Sequence, residues 1–201
     1  MGIYRRLLFR NTRVKTVLNF ALITVCTLIT ALCSDDPVIN VSAQIFLAVL
    51  SHEGAHILTA YLLGVKINNV SFFPIGIRMD LASNEGTTYK VAAICLAGCI
   101  FGFASAGVLT FLCFERLDGY IFASLSLSSV NLLPIRRLDG GEVLALLVNK
   151  IFLPDTSERV TKAVSSSAVF LLWLMTVTFQ IKYEINLTLL LFTIYLIYSE
   201  L

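Results

Sequence analysis

The sequence predicts an all-α integral membrane protein with six transmembrane helices and a small β-hairpin or sheet between the second and third helices. Hydrophobic residues make up 57% of the 201-residue chain and charged residues only 14%, whereas soluble domains carry about 25% charged residues. The mean hydropathy of +0.85 agrees with this class. The apolar residues are also grouped into long runs with short polar connections, which indicates a single membrane-embedded domain over residues 1–201.

A helix that spans a bilayer needs about 20 apolar residues, within a range of about 17–25. The candidate spans are Val17–Cys33, Val41–Gly64, Val91–Phe114, Tyr120–Val148, Ala163–Ile181 and Ile185–Leu201. The fourth of these is interrupted by polar residues and a proline. The connections "ERLDG" and "QIKYE" are short, so the helices that they join are expected to be antiparallel neighbours.

Basic residues cluster before the first apolar segment, at Arg5, Arg6, Arg10, Arg13 and Lys15. Lysine and arginine concentrate on the cytoplasmic side of membrane proteins, so this cluster is interpreted as a cytoplasmic flank and no nucleic-acid partner is expected. The other lysines and arginines in the connections between segments are also more numerous on the side of the N-terminus than on the opposite side. We therefore expect both termini in the cytoplasm, a bacterial cytoplasmic membrane as the location, and a retained first helix, because no cleavage pattern follows it.

The connection between the second and third segments reads "VKINNVSFFPIGIRMDLASNEGTTYK". It is rich in β-branched and aromatic residues around Pro74–Gly76, and Asn84–Gly86 is typical of a second turn. The pattern predicts a short β-hairpin or sheet on the cytoplasmic side. An ordinary surface loop is the alternative interpretation.

The second segment contains the two histidines of the chain, His52 and His56, with Glu53 between them. Residues four apart share one helix face, so both imidazoles can reach a single ion, and Glu53 can face water bound to that ion. This HExxH pattern is typical of zinc hydrolases. The alternative is a polar pair that stabilises helix packing, but each ionisable group in a membrane helix costs about 2.5–3.5 kcal/mol.

A catalytic zinc ion requires a third protein ligand and an open position for water. The fourth segment supplies candidates in "NLLPIRRLDGGEVL", where Pro134 should break the helix and Asp139 precedes two glycines. Asp139 is the favoured ligand because a broken helix at membrane depth usually lines a cavity. Glu142 is the nearest competitor, and Asp139 as a simple helix cap is the other alternative.

The third segment carries Cys95 and Cys99 on one helix face, and Gly98 and Gly102 at a spacing that lets helices approach closely. The two cysteines would suit a soft metal, but small apolar packing residues are the favoured interpretation. The glycines are interpreted as packing positions.

Together these motifs resemble the site-2 protease family of intramembrane zinc metalloproteases. The family pairs HExxH on one transmembrane helix with an Asn-x-x-Pro and Asp-Gly motif on a later one. The matches here are His52, Glu53, His56, Asn131, Pro134, Asp139 and Gly140, within a catalytic core of about residues 40–148. The stretch "VSFFPIGIRMD" is similar to the sporulation-type branch, which processes a sigma-factor precursor.

The resemblance implies that His52, His56 and Asp139 bind Zn²⁺, that Glu53 activates water, and that Asn131 holds the substrate or transition state. It also implies peptide hydrolysis in or near the membrane segment of a membrane-associated protein, such as a regulatory-factor precursor, with a regulatory membrane protein as a further partner. Ala97-Gly98-Cys99 departs from the Ala-Gly-Pro that is frequent in the family. No PDZ or CBS domain is expected. A non-proteolytic scaffold that binds a metal or a client helix is the alternative function.

Overall fold

The structure, a computed structural model, describes residues 25–65, 67–73, 76–81, 88–113, 115–182 and 187–200. Helix α1 comprises residues 25–32 of this part. The elements that follow are α2 (Pro37–Leu62), β1 (Ile67–Phe73), β2 (Gly76–Leu81), α3 (Thr88–Phe111), a 3₁₀ turn (Glu115–Leu117), α4 (Asp118–Asn131), α5 (Asp139–Ile151), α6 (Pro154–Lys182) and α7 (Leu187–Glu200).

Within the described residues, three helices are long and apolar enough to cross a membrane: α2, α3 and residues Pro154–Ile181 of α6. The expected six spans are therefore not supported. The fourth predicted segment divides into α4 and α5, of 14 and 13 residues. Helices of this length extend about 20 Å, well short of the roughly 30 Å of hydrocarbon in a bilayer. The basic residues before the first segment lie outside the described ranges.

The two strands lie in the connection for which the sequence predicts a hairpin or sheet. They pair in antiparallel register, with Val70 opposite Met79, and the register shifts between Ile67 and Asn69. The predicted turns at Pro74 and Asn84 fall outside the described residues. Among the described residues the sheet consists of these two strands, so each has an edge at which a further strand could pair.

Helix α2 begins and ends at residues whose chemistry favours those boundaries. The Asp36 carboxylate accepts hydrogen bonds from the backbone N–H groups of Val38 and Ile39, at 2.8 and 3.2 Å, which satisfies donors that the first turn leaves unpaired. After the helix, Gly64 adopts φ +66°, the left-handed conformation that commonly ends helices. These ends fix the stretch of chain that carries the histidines.

Helices α2, α3 and α4 pack against one another, and α5 contacts both α3 and α6. Gly102 of α3 allows close contact with α4, since a Cβ there would lie 2.1 Å from Ser128 Oγ. Gln44 of α2 holds the start of α4: its Nε2 donates to Arg116 O at 3.0 Å, and its Oε1 accepts from Tyr120 N at 2.9 Å. This helix triplet forms the frame of the site.

The residues between α4 and α5, 132–138, form a break in the helix, as Pro134 predicts. Ile135 and Leu138 of this break are fully buried and pack with Val169 of α6 and Leu196 of α7. The backbone N–H of Arg136 donates to Ser165 Oγ on α6 at 2.9 Å. The last two helices thus fix the break and with it the beginning of α5.

Candidate metal centre

His52 and His56 lie on the face of α2 that packs against α3, and they are only 2% and 5% exposed. Their ring centroids are 4.9 Å apart. Directly opposite stands Gly98 of α3, where an added Cβ would lie 2.3 Å from His56 Nε2 and 2.7 Å from His52 Nε2. Only a residue without a side chain fits there, so the glycine creates the space that both imidazoles occupy.

Asp139, in the first turn of α5, places its carboxylate between the two imidazoles. Its Oδ2 lies 3.2 Å from His52 Nε2 and 3.4 Å from His56 Nε2. The N-cap position of α5 belongs to Leu138, where no side-chain cap bond forms, so the geometry does not favour the simple capping alternative. Gly140 allows this placement, because a Cβ there would lie 2.2 Å from Leu132 O in the break.

The hydrogen bond of His56 orients its ring toward the cluster. Its Nδ1 lies 2.7 Å from the backbone carbonyl of Ile94. A carbonyl only accepts hydrogen bonds, so Nδ1 carries a proton, which leaves Nε2 as the nitrogen that can bind an ion. This Nε2 lies 3.4 Å from Asp139 Oδ2. Two imidazoles and one carboxylate are also the donor set of known catalytic zinc sites, so the residues fit a zinc ion.

The other predicted site residues lie around this cluster. Asn131, the last residue of α4, has its Nδ2 3.1 Å from His52 Nε2. Glu53 follows His52 on α2 and is partly buried, and Pro134 lies in the break. The structure therefore brings Asn131, the two histidines and Asp139 together from three helices.

Two residues near the cluster were interpreted from the sequence mainly as packing residues, with a soft-metal site as the alternative. Cys99 Sγ lies 3.7 Å from Asp139 Oδ2, and the donor atoms of His52, Cys99 and Asp139 all lie within 4.8 Å of one another. Cys95, one turn earlier, contacts Glu142 Oε2 at 3.4 Å. Glu142, the competing ligand, thus meets a cysteine, while Asp139 meets the histidines. In the sequence, the i, i+4 spacing of Cys95 and Cys99 was the signal that places both on one face of α3.

Comparison with known proteins agrees with this geometry. The family model for peptidase family M50 matches residues 115–175, which include α4, the break, α5 and most of α6. No curated protein matches the chain. Among solved structures, the fold is similar to "Site-2 Protease from Methanocaldococcus jannaschii", with a TM-score of 0.63 and 21% identity over 91% of this chain and 86% of that chain. The family match over residues 115–175 and the shared fold both support the resemblance to site-2 proteases that the sequence motifs predict.

Proposed function

We propose that this protein is an intramembrane zinc metalloprotease that hydrolyses a peptide bond in or near the membrane-embedded segment of a membrane-associated protein. The observation that carries the proposal is the convergence of His52, His56 and Asp139 at distances of 3.2 and 3.4 Å, next to Glu53 on the same helix turn. Packing alone does not explain this convergence, since buried ionisable groups in a membrane helix are costly.

Each side chain has a role that follows from its position. His52, His56 and Asp139 would hold Zn²⁺, which supplies polarisation of the scissile carbonyl and activation of water. Glu53 accepts the proton of the attacking water and delivers it to the departing amine. The Asn131 amide, 3.1 Å from His52 Nε2, is near enough to the cluster to donate a hydrogen bond to the substrate carbonyl.

The substrate must present an extended backbone, because the peptide groups of a helix are hydrogen-bonded within the helix. An unwound segment can add as a further strand at an edge of the β1–β2 pair, as far as the described residues show. A regulatory-factor precursor of the sporulation type fits this mode of binding. We place the active site in the cytoplasmic half of a bacterial cytoplasmic membrane. The basic residues of the connections predict that the strand pair lies on the cytoplasmic side. A regulatory membrane protein would control access of the substrate to the site.

Cleavage by the purified protein tests this function. Wild type and Glu53→Gln would be reconstituted in liposomes with a membrane-anchored substrate, and the products separated by gel and identified by mass spectrometry. Loss of a general base costs about 10²–10⁴-fold in rate, so the variant should yield almost no product while retaining zinc. Equal cleavage by both proteins would contradict the assignment of Glu53.

A second candidate function, a metal-binding scaffold without proteolytic activity, is favoured by one observation. Cys99 Sγ lies with the donor atoms of His52 and Asp139, so together with His56 it would make a fourth protein ligand, and sites with four protein ligands are typical of structural rather than catalytic zinc. The same assay separates the two functions. A scaffold would bind zinc in both proteins and cleave in neither.

A further inference from the structure

We propose that Cys99 is a fourth ligand of the metal ion and occupies, in the resting protein, the position that water must take for catalysis. The inference rests on the proposed metal site. It goes beyond that site because the fourth coordination position would be held either by the Cys99 sulfur or by water. Asp139 Oδ2 is the common neighbour of three donors: His52 Nε2 at 3.2 Å, His56 Nε2 at 3.4 Å and Cys99 Sγ at 3.7 Å.

The position of the thiol on α3 supports this role. Cys99 follows Gly98, whose missing side chain brings the α3 backbone against both imidazoles. Cys99 thus reaches the cluster from α3, a different helix from the one that carries the histidines. It is only 2% exposed, and its sulfur lies among the donors of His52 and Asp139, all within 4.8 Å of one another.

The chemistry of the four donors is consistent with one tetrahedral site. Zinc accepts imidazole nitrogen, carboxylate oxygen and thiolate sulfur, and a set of four such ligands is closed to water. In such a site Cys99 would bind as the thiolate, having lost its proton, and for hydrolysis it would have to regain a proton and give way to water while His52, His56 and Asp139 hold the ion. Cys99 thus holds the centre inactive until substrate or another event releases it.

X-ray absorption at the zinc edge, on protein purified in detergent and loaded with one equivalent of zinc, measures this directly. Wild type should show one sulfur scatterer at the Zn–S distance of about 2.3 Å. Cys99→Ser should lose that sulfur and keep the nitrogen and oxygen scatterers. Cys95→Ser is the matched control, since Cys95 is also buried on α3 but contacts Glu142 at 3.4 Å, and it should keep the sulfur.

A second variant keeps the test decisive if Cys99→Ser fails to fold. A chain in which the other four cysteines are serine retains only Cys99 and should still show the sulfur scatterer. A wild-type spectrum without sulfur overturns the inference, and so does a sulfur that disappears in Cys95→Ser. If the protein binds no stoichiometric zinc, the proposed metal centre itself is wrong. If zinc binds through nitrogen and oxygen ligands alone, only the role of Cys99 is wrong.

The rate of cleavage tests the exchange of Cys99 for water. Because the thiolate competes with water, zinc-loaded Cys99→Ser should cleave a membrane-anchored substrate several-fold faster than wild type, whereas Cys95→Ser should not. A slower or unchanged rate with full zinc content would contradict the competition.

Discussion

Replacing Gly98 by alanine tests how closely α3 must approach the two histidines. The added Cβ would lie 2.3 Å from His56 Nε2 and 2.7 Å from His52 Nε2, about 1 Å closer than ordinary van der Waals contact between such atoms. Both nitrogens are predicted ligands, and ligand distances in a metal site are set within about 0.2 Å. The helix or the imidazoles must therefore move by several times that tolerance.

We expect the affinity for zinc to fall at least 10–100-fold, the range typical when the surroundings of ligands are altered, which corresponds to about 1.4–2.8 kcal/mol. The assay is competition for zinc between a chromophoric chelator and the purified protein, with helicity measured in parallel by circular dichroism. Gly107→Ala is the control, because this glycine lies on the same helix and a Cβ there meets nothing within 4 Å. Wild-type zinc affinity in folded Gly98→Ala would refute the reasoning.

Two further substitutions test how the break positions Asp139. Gly140→Ala would place a Cβ 2.2 Å from a backbone carbonyl of the break, so we expect weaker zinc binding and a lower Tm, measured by chelator competition and thermal unfolding; unchanged values would contradict the close contact. Ser165→Ala removes the acceptor of the Arg136 N–H, and the loss of a typical hydrogen bond costs about 0.5–1.5 kcal/mol. The Tm of Ser165→Ala should fall. Ser167→Ala, at an exposed position whose hydroxyl donates within its own helix, should leave the Tm unchanged. Equal effects of the two substitutions would argue against the Arg136–Ser165 hydrogen bond as a support of the break.

The sequence predicted the parts of the site that depend on local spacing. The i, i+4 relation places His52 and His56 on one face of α2 wherever that helix lies, and Pro134 breaks the later helix by its own chemistry. The beginning of α2 is also local, since Asp36 caps the helix at Pro37, although hydropathy placed the start of this segment at Val41. These features need no knowledge of neighbouring helices.

The six expected membrane spans are not supported by the described residues, which omit much of Val17–Cys33, and for the fourth span the reason is one that hydropathy does not show. The segment Tyr120–Val148 is apolar enough in total, but the break divides it into α4 and α5, each shorter than a bilayer. Hydropathy reports composition over a window, whereas the path of the chain depends on where α6 and α7 bury Ile135 and Leu138.

The role of α3 in the site was also missed, because it depends on helix packing. Gly98 and Gly102 together form one small-residue pattern, which does not distinguish between them. In the structure, Gly102 faces Ser128 of α4 and Gly98 faces the imidazoles. In the same way, Cys99 meets Asp139 and Cys95 meets Glu142. A single sequence does not distinguish these contacts, since the partner of each face is set by how α3 lies against α2 and α5.

The zinc content of wild type and Asp139→Asn, purified in parallel and measured by elemental analysis, tests whether Asp139 and the two histidines hold a metal ion. Asparagine keeps the size of the side chain but removes the negative charge that lies 3.2 and 3.4 Å from the two histidine nitrogens. We predict one zinc ion per chain in wild type and a large loss of zinc in Asp139→Asn. Equal zinc content and affinity in the two proteins would contradict the metal centre described here.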